Sequence, residues 1–161
     1  LVVYNRDKKK MADQTEVFMK TSQNIAEASF YVDGLFCAVD ILHRNGDGWD
    51  IVEVKSSTEV TDIYIEDMAF QYYVLVKCGV SVKHIYNLHI DNTYVKNGPL
   101  EIHKLFMLED CTDEVIRRFY EISEQDRISR IRDIIWILKH SSRLFLKMFV
   151  PLPIMCPLKR L

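Results

Sequence analysis

Residues 34–55 read GLFCAVDILHRNGDGWDIVEVK, two β-rich runs joined by Asn45-Gly46-Asp47-Gly48. Just upstream, Asp33-Gly34 separates the first run from another, ASFYV at 28–32. An AspGly pair between alternating apolar residues is a strong hairpin signal, and a second Gly-containing turn follows about ten residues later. Three consecutive antiparallel strands are therefore predicted. The Asn, Asp and Gly at 45–48 also resemble a calcium loop. Placing Gly48 at that loop's glycine position puts His43 first and Val54 last, where carboxylates are needed, so an EF-hand is rejected.

Downstream, TDIYIEDMAFQYYVLVKCG at 61–79 places apolar residues at Ile65, Met68, Ala69, Tyr72, Leu75 and Val76. That is helical spacing with Gly79 as a stop, and it predicts a helix over 62–78. VSVKHIYNLHI at 80–90 alternates and is rich in β-branched residues, as a strand is. A helix between the third and fourth strands makes that pair parallel if they are neighbours. Upstream, 13–26 carries Val17, Phe18 and Ile25 and reads as a helix. Residues 94–99 read as a turn, and 110–122 as a helix capped by Thr112 with acids in its first turn. The fold class expected is α/β, a mixed central sheet flanked by helices.

At 161 residues and 48% hydrophobic composition, the chain has enough apolar mass for one sizeable core. Net charge is −2 but unevenly placed. Residues 1–126 carry thirteen Lys and Arg against twenty-two acids, whereas Arg127 onward has eight against one. The reading is a domain at 1–126 and a basic, apolar helical extension of it at 127–161. That end could lie along phosphates, form an oligomer seam or be a solvated helix face. Starting at LVVYN without an initiator Met and ending in a Pro-rich basic stretch, the chain reads as a fragment or a damaged gene product of something longer.

IIWILKHSSRLFLKMFV at 134–150 is interrupted by Lys139 to Arg143, so it falls short of the ~20 apolar residues of a membrane span. No membrane partner is expected. Cys37, Cys78, Cys111 and Cys156 form no CxxC pair, and no secretory leader is visible. Reduced thiols in a cytoplasm, with Cys37 and Cys78 as small core residues, are the expectation. The histidines show no metal-ligand spacing, and no phosphate-binding GxxxxGK[ST] occurs. A nucleotide-driven motor, such as a helicase, would be a partner protein.

Chemistry concentrates at the ends of the second and third strands. Asp40 is a carboxylate late in an otherwise apolar strand, costly unless hydrogen-bonded, ion-paired or cation-bound. Period-two geometry sends Glu53 and Lys55 to one face of the next strand. Asp40 and Glu53 supply hard oxygens suited to Mg²⁺ or Mn²⁺, with the Val54 carbonyl as a third ligand, and Lys55 offers a compact charge for water or phosphate. Such a set suits phosphodiester hydrolysis. The plain alternative is a salt-bridged Glu-Lys pair on a sheet surface.

Asp40, a turn, Glu53-Val54-Lys55-Ser56-Ser57 and then a helix with Ala69-Phe70-Gln71-Tyr72-Tyr73 together resemble the RecB-like branch of the PD-(D/E)XK nuclease superfamily, and within it an uncharacterised bacterial family. The resemblance covers roughly residues 25–122. It implies a restriction-endonuclease-like fold and metal-dependent cleavage of DNA in repair, recombination or defence. In it, Asp40 and Glu53 bind the metal, Lys55 orients the attacking water, and Gln71 meets the nucleic acid. Glu27 resembles an acid that some relatives place near the metal. Two departures stand out. Val39 replaces the family's Pro, and Leu75 stands where its Gln-x-x-x-Tyr has tyrosine, with Tyr73 as the neighbour able to face the cleft and DNA. Many relatives carry an iron–sulfur cluster, which is not expected here because Cys156 lacks companion cysteines. The rival reading is a non-catalytic nucleic-acid or protein-binding module on the same fold.

Overall fold

A computed structural model describes residues 1–125 and position 129. Contacts divide the chain into Leu1–Ser123 and Glu124–Leu161, and the fold below is that of the first unit. The expectations for 127–161 and Cys156 lie outside the described residues. The first unit is α/β, a five-stranded mixed sheet flanked by helices, as the residue pattern predicts.

Helix α1 (Lys8–Met19) is followed by β1 (Asn24–Val32), β2 (Leu35–Asn45) and β3 (Gly48–Val54). Then come α2 (Asp62–Lys77), β4 (Val82–Ile90), a single turn α3 (Ile102–Leu105) and β5 (Phe106–Asp110). Residues 112–125 are helical and form α4. The strands lie side by side in chain order. β1–β2, β2–β3 and β4–β5 are antiparallel, while β3–β4 is parallel across the α2 crossover.

Both hairpins fall where the turns predict them. Asp33 and Gly34 have φ of 51° and 82°, the paired left-handed conformation of a two-residue turn whose twist matches the strands. Gly48 opens β3 for a different reason. A Cβ there would lie 2.5 Å from Lys83 Cε and 2.7 Å from the Ser81 carbonyl oxygen, which Trp49 N–H already holds at 2.9 Å. Gly48→Ala is expected to destabilise the fold by about 2 kcal/mol, through a clash with backbone that cannot step aside. A thermal melt unchanged from wild type would contradict this.

Several boundaries differ from expectation. The first helix spans 8–19 instead of 13–26, capped by Asp7 Oδ1, which accepts from Lys9 N–H at 3.0 Å. Asn24, Ile25 and Ala26 pair with His43, Leu42 and Ile41, and this sheet pairing overrides the weak helical spacing. Thr112 is not a cap. It is the first helical residue of α4, and its hydroxyl accepts from Ile85 N–H at 2.9 Å, tying α4 to β4. Strand β5, exposed at each of its positions, is an element the residue pattern does not predict. Cys37 is buried and its thiol is pushed up to about 12, chiefly by burial, as a core residue's would be. Cys78, by contrast, is exposed, because it caps α2 where Gly79, at φ 77°, turns the chain away.

The core is organised by register. Ile25, Leu42, Ile51 and Ile85 are successive cross-strand partners, and each is 0–1% exposed. Ile65, Met68, Ala69, Val74 and Leu75 of α2 belong to the same buried cluster. Among the described residues no helix is long and apolar enough to cross a membrane.

Candidate functional site

Two residues along from that apolar row, the sheet turns polar. Glu27 stands opposite Asp40, between the pairs Ala26–Ile41 and Ala28–Val39. Asp40 lies one step beyond Ile41–Val52, beside Glu53. Glu53 is paired with Asn87, and Asn87 with Glu109. A single transverse row of polar residues thus crosses all five strands, and residues two apart on a strand share a face, so the core lies next to it.

The structure brings Asp40, Glu53, Lys55 and Gln71 together. Glu53 is only 6% exposed, and both its oxygens are engaged. Lys55 Nζ donates to Oε1 at 2.7 Å and Gln71 Nε2 to Oε2 at 2.9 Å. Asp40 Oδ2 accepts from Val54 N–H at 2.8 Å, which fixes the Asp40 carboxylate against the end of β3. Lys55 Nζ also donates to Asp67 Oδ2 at 2.8 Å and sits 5.3 Å from the centre of the Tyr64 ring. Tyr64, Asp67 and Gln71 follow one another at helical spacing, so one stripe of α2 supplies all three.

Electrostatics follow from burial. Desolvation raises the Glu53 carboxyl above its ordinary value. The bonds from Lys55 and Gln71 oppose that rise, and the neighbouring Asp40 charge adds to it. For Lys55, burial pulls the ammonium down, but its bonds to Asp67 and Glu53 outweigh this and hold it above the usual lysine range. The folded chain therefore keeps a proton on Glu53 to higher pH than the unfolded chain does. The stability tied to this group is complete below its ordinary value of 4.5 and is lost as pH rises through the folded value. In chelating buffer, Glu53→Gln should remove this contribution, so its urea midpoint falls less above about pH 5 than that of wild type. Equal slopes in the two proteins would assign the pH dependence elsewhere.

Other expected site residues are placed differently. Glu27 is exposed, with φ of 57° in mid-strand, a left-handed conformation rare for a residue with a side chain. No hydrogen bond or ion pair joins its carboxylate to Asp40 or Glu53. Tyr73 does not face a cleft: it is 7% exposed, its ring 6.1 Å from that of Phe119 in α4 and 5.1 Å from Lys77 Nζ. The helical period turns it away from the stripe that holds Gln71. Tyr72 is less buried and packs edge-on against Phe119 at 5.0 Å. Val54 closes β3 and meets the Asp40 carboxylate through its N–H.

Asp67 was missed, although it lies four residues before Gln71, on the same helical face. Among the described residues no group of three or more His, Cys, Asp and Glu is gathered as a metal site. A cavity of about 560 Å³ lies elsewhere, lined by Thr15, Ser29, Trp49, Cys78 and Ser81 at the start of β3 and β4. No family model, curated protein or solved structure matches the chain.

Proposed function

We propose that this chain is a metal-dependent nuclease that hydrolyses phosphodiester bonds of DNA, on a restriction-endonuclease-like fold of the RecB-like PD-(D/E)XK kind. The observation that carries the reading is that Lys55 and Gln71 both bond the buried Glu53 carboxylate, while Asp40 is held beside it by the Val54 N–H. A sheet surface stabilised by a Glu-Lys pair needs neither a second carboxylate beside it nor a buried amide bonded to it.

The donor set fits Mg²⁺ or Mn²⁺. Asp40 and Glu53 give hard oxygens on neighbouring strands, and Gln71 Oε1 is buried with no partner among the described residues. Asp40 and Glu53 would hold the cation, with the Val54 carbonyl as a further oxygen of the set. Such a cation, when bound, lowers the pKa of water and offsets charge on the phosphorus. Lys55 holds the attacking water in line, exchanging its bond to Glu53 for one to that water while Asp67 keeps the ammonium in place. Gln71 gives its amide to the substrate backbone.

The test is incubation of the full chain with labelled single- and double-stranded DNA in Mn²⁺, in Mg²⁺ and in chelator, beside Lys55→Ala. The expected result is cutting that needs metal and is absent from the variant. DNA bound but uncut under every condition would overturn the nuclease and favour a binding module.

A further inference from the structure

Asn87 is the one fully buried member of the polar row. Its side chain is 0% exposed, yet neither Nδ2 nor Oδ1 has a hydrogen-bond partner among the described residues. On β4 the buried positions are Ile85, Asn87 and His89, alternating with partly exposed ones, so Asn87 shares the face of Ile85. Register then sets it directly beside Glu53, in the pair that follows Ile51–Ile85 by one face repeat. A buried amide with nothing to bond is costlier than an apolar side chain of the same shape. Leu or Met would serve the core better at this point, so packing does not account for the residue.

The neighbouring carboxylate does account for it. Lys55 and Gln71 each hold one Glu53 oxygen in the structure, and Asn87 bonds neither of them. In the reaction proposed above, those two donors turn to water and to the substrate, and a buried carboxylate is left short of hydrogen bonds. His89, next along the same face, is already committed through Nε2 to Glu109 Oε2 at 3.3 Å and through Nδ1 to the Ile90 carbonyl at 3.1 Å. Asn87 Nδ2 is the uncommitted donor beside Glu53. We propose that Asn87 is a positioning residue, the reserve donor that holds the Glu53 carboxylate in its cation-binding orientation once Lys55 and Gln71 engage the substrate. This role rests on the nuclease reading. Hydrogen bonds that orient a metal-binding carboxylate set its affinity for the metal, and their loss costs typically 10–100-fold.

The test measures Mn²⁺ binding by calorimetry and the melting temperature in chelator, on the full chain, for wild type, Glu53→Gln, Asn87→Leu and Asn87→Thr. Asn87→Leu should melt a few degrees higher than wild type, because an unmet buried amide is gone, while its Mn²⁺ affinity falls about 10-fold or more. Asn87→Thr, with a hydroxyl donor, should recover part of that affinity. A purely structural asparagine would lower the melting temperature on replacement and leave metal affinity unmoved. If wild type binds Mn²⁺ in a Glu53-dependent way and Asn87→Leu binds it equally well, the role of Asn87 is overturned and the nuclease reading stands. If wild type takes up no Mn²⁺, with or without DNA present, both fall together.

Discussion

Lys55→Ala should reduce DNA cleavage by on the order of 10³-fold, while the far-ultraviolet circular dichroism spectrum stays that of a folded α/β chain. In the proposed nuclease the two effects separate, because the ammonium would serve the chemistry more than the fold. Its side chain is 21% exposed and its second partner, Asp67, is 45% exposed, so much of the charge attraction is screened. The consequence for Glu53 is larger. Without Lys55 the carboxylate loses its one charged donor, burial dominates, and its affinity for a proton rises further. Added Mn²⁺ should therefore still bind, but more weakly at acid pH than in wild type. Lys55→Arg should not restore cutting, since a planar fork cannot replace a compact ammonium held between two carboxylates. Turnover of either variant above a tenth of wild type would remove Lys55 from the mechanism.

Leu42→Ala should be the most destabilising of the substitutions considered, by about 3 kcal/mol, with a melting temperature lower by roughly 10 °C. Leu42 is 0% exposed and stands between Ile25 and Ile51 in the apolar row. Both flanking strands are paired to β2 throughout this stretch, so the cavity cannot close by a strand moving inward. Leu42 also lies two residues from Asp40, on its side of the sheet. Loss of packing there should loosen the carboxylate as well as the core, and Mn²⁺ affinity should fall with stability. A Leu42→Ala chain that melts within about 2 °C of wild type would mean that the row does not carry the core.

The parts of this fold written in local chemistry were legible. Asp33-Gly34 and Gly46-Asp47 are turns whichever strands they join, and the stripe of α2 is visible in its own spacing. Alternation alone put Glu53 and Lys55 on one face, and hairpin lengths put Asp40 beside them. What escaped depends on partners distant in the chain. Residues 24–26 look helical until His43, Leu42 and Ile41 are there to pair with them. Residues 106–110, beginning Phe106-Met107-Leu108, show a strand only once β4 offers an edge. Asp67 is one acid among several on α2 until Lys55 is known to reach it. The choice between two adjacent tyrosines turns on a rotation of about 100° about the helix, and it is burial in the fold that turns Tyr73 inward. Asn87 reads as a polar break in a strand, and only its register opposite Glu53 gives it meaning.

The polar row has a bearing on what lengths of chain this domain can tolerate. Its five members come from five separate strands, and they align because the ladders hold their step around the row, past the register shift between Trp49 and Ile51. One residue inserted within β3 ahead of Glu53 would turn Glu53 and Lys55 to the opposite side and leave Ile51 or its replacement out of the core. Two inserted residues would restore the side but carry the carboxylate about 7 Å along the strand, away from both Asp40 and Gln71. Insertions and deletions in descendants of this chain should therefore collect in the exposed segment at 91–101, between β4 and α3, where no member of the row is displaced.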